Sequence, residues 1–282
     1  MLKKIVSLLL VLVMLLGMTT GSFASEASAS KVAASKLNPH STFKAWVKQL
    51  KPTNKDVMGW LKVPGTNINV PIVQGTREQG NNYYNTRDWK GVDYSARVYP
   101  NYAFTSTFLD VRAVTNSTWA ASSRNMVIYG HNWSNLSRPY NIGEKYTNHK
   151  MFAQLPSYTD VDFAKANPYI YYSTENLEGI WKVFSVATCE VSVEFPYNMP
   201  NPNDQQWKKI IAEWKARSVM DFGVDVNEND RLLTLSTCTR EYPGAGETQR
   251  FVVVARLLRP GESENDAVKV TARTDYKKPI FK

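Results

Sequence analysis

Cys238 closes the run LLTLSTC at Leu232–Cys238 and is followed by the polar Thr239-Arg240-Glu241. Aliphatic and β-branched residues predict a strand there. A cysteine where a strand gives way to a polar loop is partly open, as a nucleophile must be. Alternation puts Thr234, Ser236 and Cys238 on one face and Leu233, Leu235 and Thr237 on the other. On this segment alone, a buried structural cysteine is the commoner fate of a free thiol. A second segment, NMVIYGHNW at Asn125–Trp133, predicts a strand that runs through Gly130 into His131. Gly130 lets the backbone turn or approach a neighbour closely. His40 and His149 lie in polar, irregular contexts and read as surface or structural residues. A third segment, TQRFVVVARLL at Thr248–Leu258, is a β-branched strand opened by Arg250, which alone reads equally well as an edge charge.

Together the three segments meet the needs of acyl transfer to a thiol. The thiolate is the nucleophile, so the cysteine needs a neighbour that takes or offsets its proton. Histidine does this near neutral pH and afterwards protonates a leaving amine. A guanidinium offers several N–H donors to the oxyanion of a tetrahedral intermediate. No Asp, Glu or Asn is plainly placed to orient His131, although Asn132 is adjacent.

The elements that must carry these residues are mostly short strands. Ile68–Val73, Phe108-Leu109, Asn125–Tyr129, Tyr169–Tyr172, Ile180–Thr188, Leu232–Thr237 and Phe251–Leu258 are predicted as strands between loops rich in Gly, Pro, Asn and Ser. That series indicates a β-barrel or sandwich. Phe43, Trp46, Val47 and Leu50 have the spacing of an amphipathic helix capped by Ser41 or Thr42, and Asn54–Leu61 suggests a second short helix. Trp207, Ile210, Ile211 and Trp214 mark a longer helix over Asp204–Arg217.

Lys3 and Lys4, the apolar run Ile5–Met18 and small residues near Ala24 and Ala29 predict an export signal over residues 1–24, either cleaved or kept as a membrane anchor. Residues 25–40 read as a Ser/Ala-rich linker and 41–282 as the catalytic domain. The net charge is +9 over 282 residues, but the basic residues are scattered and form no basic helix. Nucleic acid is therefore not the expected partner, and an anionic cell wall or lipid surface is. Two cysteines in an exported chain invite a disulfide, but the setting of Cys238 argues for a free thiol. Neither the two Cys nor the three His show zinc-ligand spacing, and no cofactor is expected.

TLSTC at Thr234–Cys238, YGHN at Tyr129–Asn132 and RFVVVARL at Arg250–Leu257 resemble the sortase signatures, in the sortase order His, Cys, Arg. VMGWLKVPGTNINVPIVQG at Val57–Gly75, with Asn82-Tyr83-Tyr84 after it, is similar to the opening segment of class B sortases. The helix before the Cys strand resembles the extra helix of that class. The resemblance implies an eight-stranded β-barrel with N-terminal helices and that additional helix. It implies a transpeptidase in which Cys238 attacks the Thr carbonyl of a sorting motif on an exported protein. A peptidoglycan amine then resolves the acyl-enzyme. His131, Cys238 and Arg250 would be catalytic, and Asn82, Ser236 and Thr237 would line the substrate groove. Ala96–Thr107 and Ser134–Lys150 are longer than the resemblance leads one to expect. A pilin-polymerising sortase is the nearest alternative. A papain-like cysteine peptidase is disfavoured, because its Cys precedes its His and its fold is not all β. A non-enzymatic wall-binding β-module with Cys238 buried is the reading of a different class.

Overall fold

The computed structural model describes residues 39–96, 106–132, 152–191, 195–242 and 248–281. Residues 43–282 form one compact unit, which carries the sheet. Eight strands close into a barrel in the order β1-β2-β3-β4-β8-β9-β6-β5. They are β1 (Val57–Lys62), β2 (Asn69–Val73), β3 (Thr107–Leu109), β4 (Asn125–Tyr129), β5 (Tyr169–Thr174), β6 (Ile180–Glu190), β8 (Leu232–Cys238) and β9 (Gln249–Leu257). A two-stranded ribbon of β7 (Met220–Asp221) and β10 (Thr271–Ala272) forms a second, separate sheet. The pairs β2–β3 and β4–β8 are parallel, and the other barrel pairs are antiparallel.

Closure leaves the barrel no open edge, so inward side chains need only fill a core. Met126 and Ile128 of β4, Leu233 and Leu235 of β8, and Phe251, Val253 and Ala255 of β9 do this with Leu61, Ile72, Leu109, Tyr172 and Trp181. The alternate residues of β8 and β9 therefore face outward. At one end of that outer face lies the helix α3 (Asp204–Arg217). Its Asn203 side chain accepts the Gln206 N–H while the Gln206 side chain accepts the Asn203 N–H, a capping box. Trp207, Ile210, Ile211 and Trp214 cover Leu232, Val252 and Val254. The other end of the face, where Cys238 lies, is left to loops.

The helix α1 (Pro39–Leu50) sets Trp46 against Trp60 at 4.6 Å between ring centroids and buries Val47 beside Val57 and Val73. Ser41 and Thr42, expected to precede this helix, lie within its bounds. The short helix α2 (Val161–Ala166) is capped by Asp160, whose side chain accepts from the Asp162 and Phe163 amides. Asn54–Leu61 is not a helix: from Val57 on it is β1, paired on one side with β2 and on the other with β5. Val57, Gly59 and Leu61 are buried while Met58, Trp60 and Lys62 are half-buried, a period of two that only a strand can satisfy here. The two stretches expected to be expanded, Ala96–Thr107 and Ser134–Lys150, fall largely or wholly outside the described residues.

Candidate active site

Cys238 and Arg250 face one another directly in the antiparallel β8–β9 ladder. Opposite residues share a face, so both side chains stand on the outside of the barrel. β4 runs parallel to β8 with Tyr129 beside Ser236, which carries the next residues of the two chains forward together. The Gly130 amide donates to the Ser236 carbonyl at 3.2 Å, and the Thr237 hydroxyl donates to the Gly130 carbonyl at 2.7 Å. One step further, the Asn132 side-chain amide donates to the Cys238 carbonyl at 3.0 Å. His131, between these two ties, is thereby held alongside Cys238. Gly130 is required by close approach: a Cβ there would come within 2.7 Å of the Phe152 ring and 2.9 Å of the Thr107 methyl.

The His131 ring is fixed by a backbone carbonyl. Its Nε2 lies 2.7 Å from the Asn85 carbonyl oxygen, which only accepts, so Nε2 carries the hydrogen. Nδ1 is then the nitrogen that gains and loses a proton. Burial depresses the His131 pKa below the ordinary histidine value, and the Asn85 carbonyl opposes that effect only in part. The neutral imidazole, ready to accept a proton, is favoured.

These groups border a groove of about 360 Å³. Of the six residues singled out by sequence, all line it: His131, Cys238, Arg250, Asn82, Ser236 and Thr237. Cys238 is half-buried, whereas Ser236 and Thr237 are almost completely buried. The Thr237 hydroxyl is spent on Gly130, and that of Ser236 meets the Tyr197 hydroxyl at 3.1 Å. Arg250 donates from Nη1 to the Gln249 carbonyl at 2.8 Å. Asn82 accepts from the Asn85 side chain at 2.9 Å within the turn that holds His131.

Sequence reasoning missed Asn81, Asn85, Tyr129, Tyr197 and Asn198 on the same groove. Asn85 acts through its backbone, which no side-chain pattern reveals. Tyr129 stands inside the quoted YGHN segment and was legible there, since it shares an outward face with His131. Tyr197 and Asn198 come from an irregular segment brought over by the buried Asn125, whose side chain donates to the Tyr197 carbonyl at 3.0 Å. Burial pushes the phenols of Tyr129 and Tyr197 well above the ordinary tyrosine value, which keeps both protonated.

The other cationic and thiol residues lie elsewhere. Arg256 pairs in register with Leu232 and holds Glu262 with two nitrogens at 2.5 Å each. Arg259 binds Asp225 and Asp230, and Arg240 is exposed. Cys189 is fully buried opposite Arg250 on the far side of β9, two strands from Cys238. Two strand spacings are about 10 Å, beyond the reach of a disulfide, and both thiols are free. Among the described residues no cluster of His, Cys, Asp or Glu has metal-site geometry.

The Sortase domain model matches residues 61–258. Sortase B of Listeria monocytogenes is 29% identical over 214 residues, covering 75% of this chain and 74% of that protein. The Staphylococcus aureus sortase B–substrate complex superposes with a TM-score of 0.61 at 26% identity, over 82% of this chain and 92% of that one. Clostridium perfringens sortase B gives 0.56 at 27% identity, over 75% and 99%. A closed eight-stranded barrel, an extra helix before the cysteine strand and a family match spanning most of the chain agree, and the protein belongs to the sortase family of cysteine transpeptidases, in its class B form.

Proposed function

We propose that this enzyme cleaves a C-terminal sorting motif of exported proteins and joins the new acyl end to an amine of the peptidoglycan. The observation that carries the reading is the shared row of Cys238 and Arg250, with His131 just past the end of the neighbouring strand β4, along one open groove. In this scheme neutral His131 takes the proton of the Cys238 thiol, the thiolate attacks a backbone carbonyl carbon of the motif, and the C=O electron pair moves onto the oxygen. Arg250 donates to that oxyanion. Collapse breaks the C–N bond, and the His131 imidazolium gives its proton to the departing amine. A thioester to Cys238 remains. The acceptor amine attacks it, His131 takes the amine's proton, and the thiolate leaves. The similar S. aureus protein is described in complex with a substrate, which supports a peptide in this groove.

The site roles of Asn82, Ser236 and Thr237 belong to the same proposal: they shape the groove wall that receives the motif. The protein is placed on the extracytoplasmic face of the membrane. Residues 1–24 serve as signal or anchor, 25–40 as spacer and 41–282 as the catalytic domain. The first segment lies outside the described residues; among those described, no helix is long and apolar enough to cross a membrane. Protease shaving of intact cells should remove the catalytic domain, and its protection in wall-permeabilised cells would contradict this placement.

The decisive test incubates the full chain with a library of sorting-signal peptides, with and without peptidoglycan stem-peptide amines, and follows it by mass spectrometry. The expected result is an acyl adduct on Cys238 that disappears as the amine-linked product forms. Acylation of Cys189, or cleavage without a thioester, would overturn the mechanism.

A further inference from the structure

Asp110 carries a carboxylate that the chemistry above does not use. It directly follows β3, is completely buried, and does not border the groove. Five hydrogen bonds nevertheless converge on it. Oδ2 accepts from Asn81 Nδ2 at 3.0 Å, from the Tyr129 hydroxyl at 2.9 Å and from Arg112 Nη2 at 2.7 Å. Oδ1 accepts from the Arg112 backbone N–H and from its Nε, each at 2.9 Å. Burial by itself would raise its pKa. The Arg112 bonds and the Tyr129 hydroxyl outweigh that and leave it below the ordinary carboxylate value. The group is therefore an anion whose acceptor sites are filled.

Its donors come from different walls of the groove. Asn81 precedes the turn whose Asn85 carbonyl holds the His131 ring, and its Oδ1 also accepts the Val111 amide at 2.8 Å, so that side chain is gripped at both ends. Tyr129 faces the groove two residues before His131. Arg112 extends the network by donating to the Asn198 carbonyl at 2.8 Å, next to Tyr197 and its contact with Ser236. An apolar residue at position 110 could fill the space but could not aim three donors, and it would leave them competing for partners in a buried site.

We propose that Asp110, together with Arg112, is a positioning residue for transpeptidation: a buried anion that fastens the His131 turn, the Tyr129 hydroxyl and the Asn198 segment into one groove. The inference rests on the transpeptidase reading above. Loss of its alignment acts on two kinetic constants through three arms. The Asn81 arm acts through His131 on kcat, and the Tyr129 and Asn198 arms act through the groove on KM.

The test is steady-state peptide cleavage by Asp110→Asn, Asn81→Ala, Tyr129→Phe and the triple variant, at a temperature where circular dichroism shows all to be folded. Asn81→Ala should lower kcat chiefly, and Tyr129→Phe should raise KM chiefly. Asp110→Asn should do both, with kcat/KM down by about tenfold to hundredfold, as for loss of a hydrogen bond to a charged group. The triple variant should be little worse than Asp110→Asn, because all three act through one node. An Asp110→Asn variant with kcat and KM near wild type, or effects that simply multiply in the triple, would overturn the proposal. If Asp110→Asn does not fold, Arg112→Gln takes its place, since that side chain is half exposed. It should raise KM several-fold, and an unchanged KM overturns the proposal. Should the wild-type chain cleave no sorting peptide, the functional reading fails by itself. Iodoacetamide alkylation of Cys238, which needs no peptide, then decides the positioning role: slower alkylation in Asp110→Asn and Asn81→Ala supports it, and an unchanged rate refutes it.

Discussion

Replacing Arg250 by Lys isolates the contribution of the guanidinium fork. Both side chains are cationic, but lysine presents a compact ammonium on a flexible stem, without the planar array of N–H donors. Arg250 and Cys238 are direct partners in the ladder, so the distance between their backbones is set by strand pairing and does not change in the variant. What changes is the aim of the donors toward an oxyanion that exists only after attack. Loss of one such donor typically lowers kcat by about 10²–10³-fold. Because charge is retained, we expect about hundredfold for Arg250→Lys, with KM moved much less, since the contact is strongest in the transition state. Arg256→Lys is the matched control. Its row in the ladder is that of Leu232, six residues along β8 from Cys238. At about 3.4 Å per residue that is roughly 20 Å away. Arg256 is fully buried and holds Glu262 with both terminal nitrogens and the Asp225 carbonyl with Nε. Arg256→Lys should therefore lower Tm and leave turnover per folded molecule unchanged. The assay is steady-state cleavage of one fluorogenic peptide, with thermal melts of each variant. A near-normal kcat for Arg250→Lys beside a crippled Arg256→Lys or Arg240→Lys would refute the assignment.

Cys238→Ala should abolish peptide cleavage with Tm close to wild type, and Cys189→Ser should retain acylation at Cys238, both read by intact-mass spectrometry. His131→Ala should lose about 10²–10⁴-fold in kcat/KM, whereas His40→Ala and His149→Ala should stay near wild type. The depressed His131 pKa also has a stability consequence. The unfolded state binds this proton more readily, so stability is highest above the ordinary histidine pKa of about 6.5 and is lost as pH falls from there through the lower folded value. Melts between neutral and mildly acid pH should show this loss in the wild type and a smaller one in His131→Gln; equal slopes would contradict the burial argument. Glu262, held by Arg256 at a pKa of about 2, gives the same sign further down, so Glu262→Gln should cost stability at neutral pH and progressively less as pH approaches 2.

Local pattern was enough for the elements whose periodicity is strong and whose ends are marked. The strand Asn125–Tyr129 and the helix Asp204–Arg217 have the bounds their sequences predict. The same local logic suffices to bring Arg250 beside Cys238, because a strand that turns back through a loop must begin near where its partner ends. It also set Leu233 and Leu235 on one face and Ser236 and Cys238 on the other, since alternation along a strand is a covalent fact; the structure turns the first pair into the core and the second toward the groove. It failed at Asn54–Leu61, where a short mixed segment fits either period and only pairing with β2 and β5 selects the strand. The parallel β4–β8 pairing that sets His131 alongside Cys238 joins segments about a hundred residues apart, and nothing in either segment encodes that register. The Asn85 carbonyl and the Asp110 node were invisible for a further reason. One is a backbone group that every residue possesses, and the other is a carboxylate whose role arises only when Asn81, Arg112 and Tyr129 converge on it in space. Residue types and their alternation thus determined which chemistry this chain carries and which faces it occupies. Barrel closure decided which of those residues meet and what holds them in place, because contacts between distant segments are settled by the packing of the whole sheet.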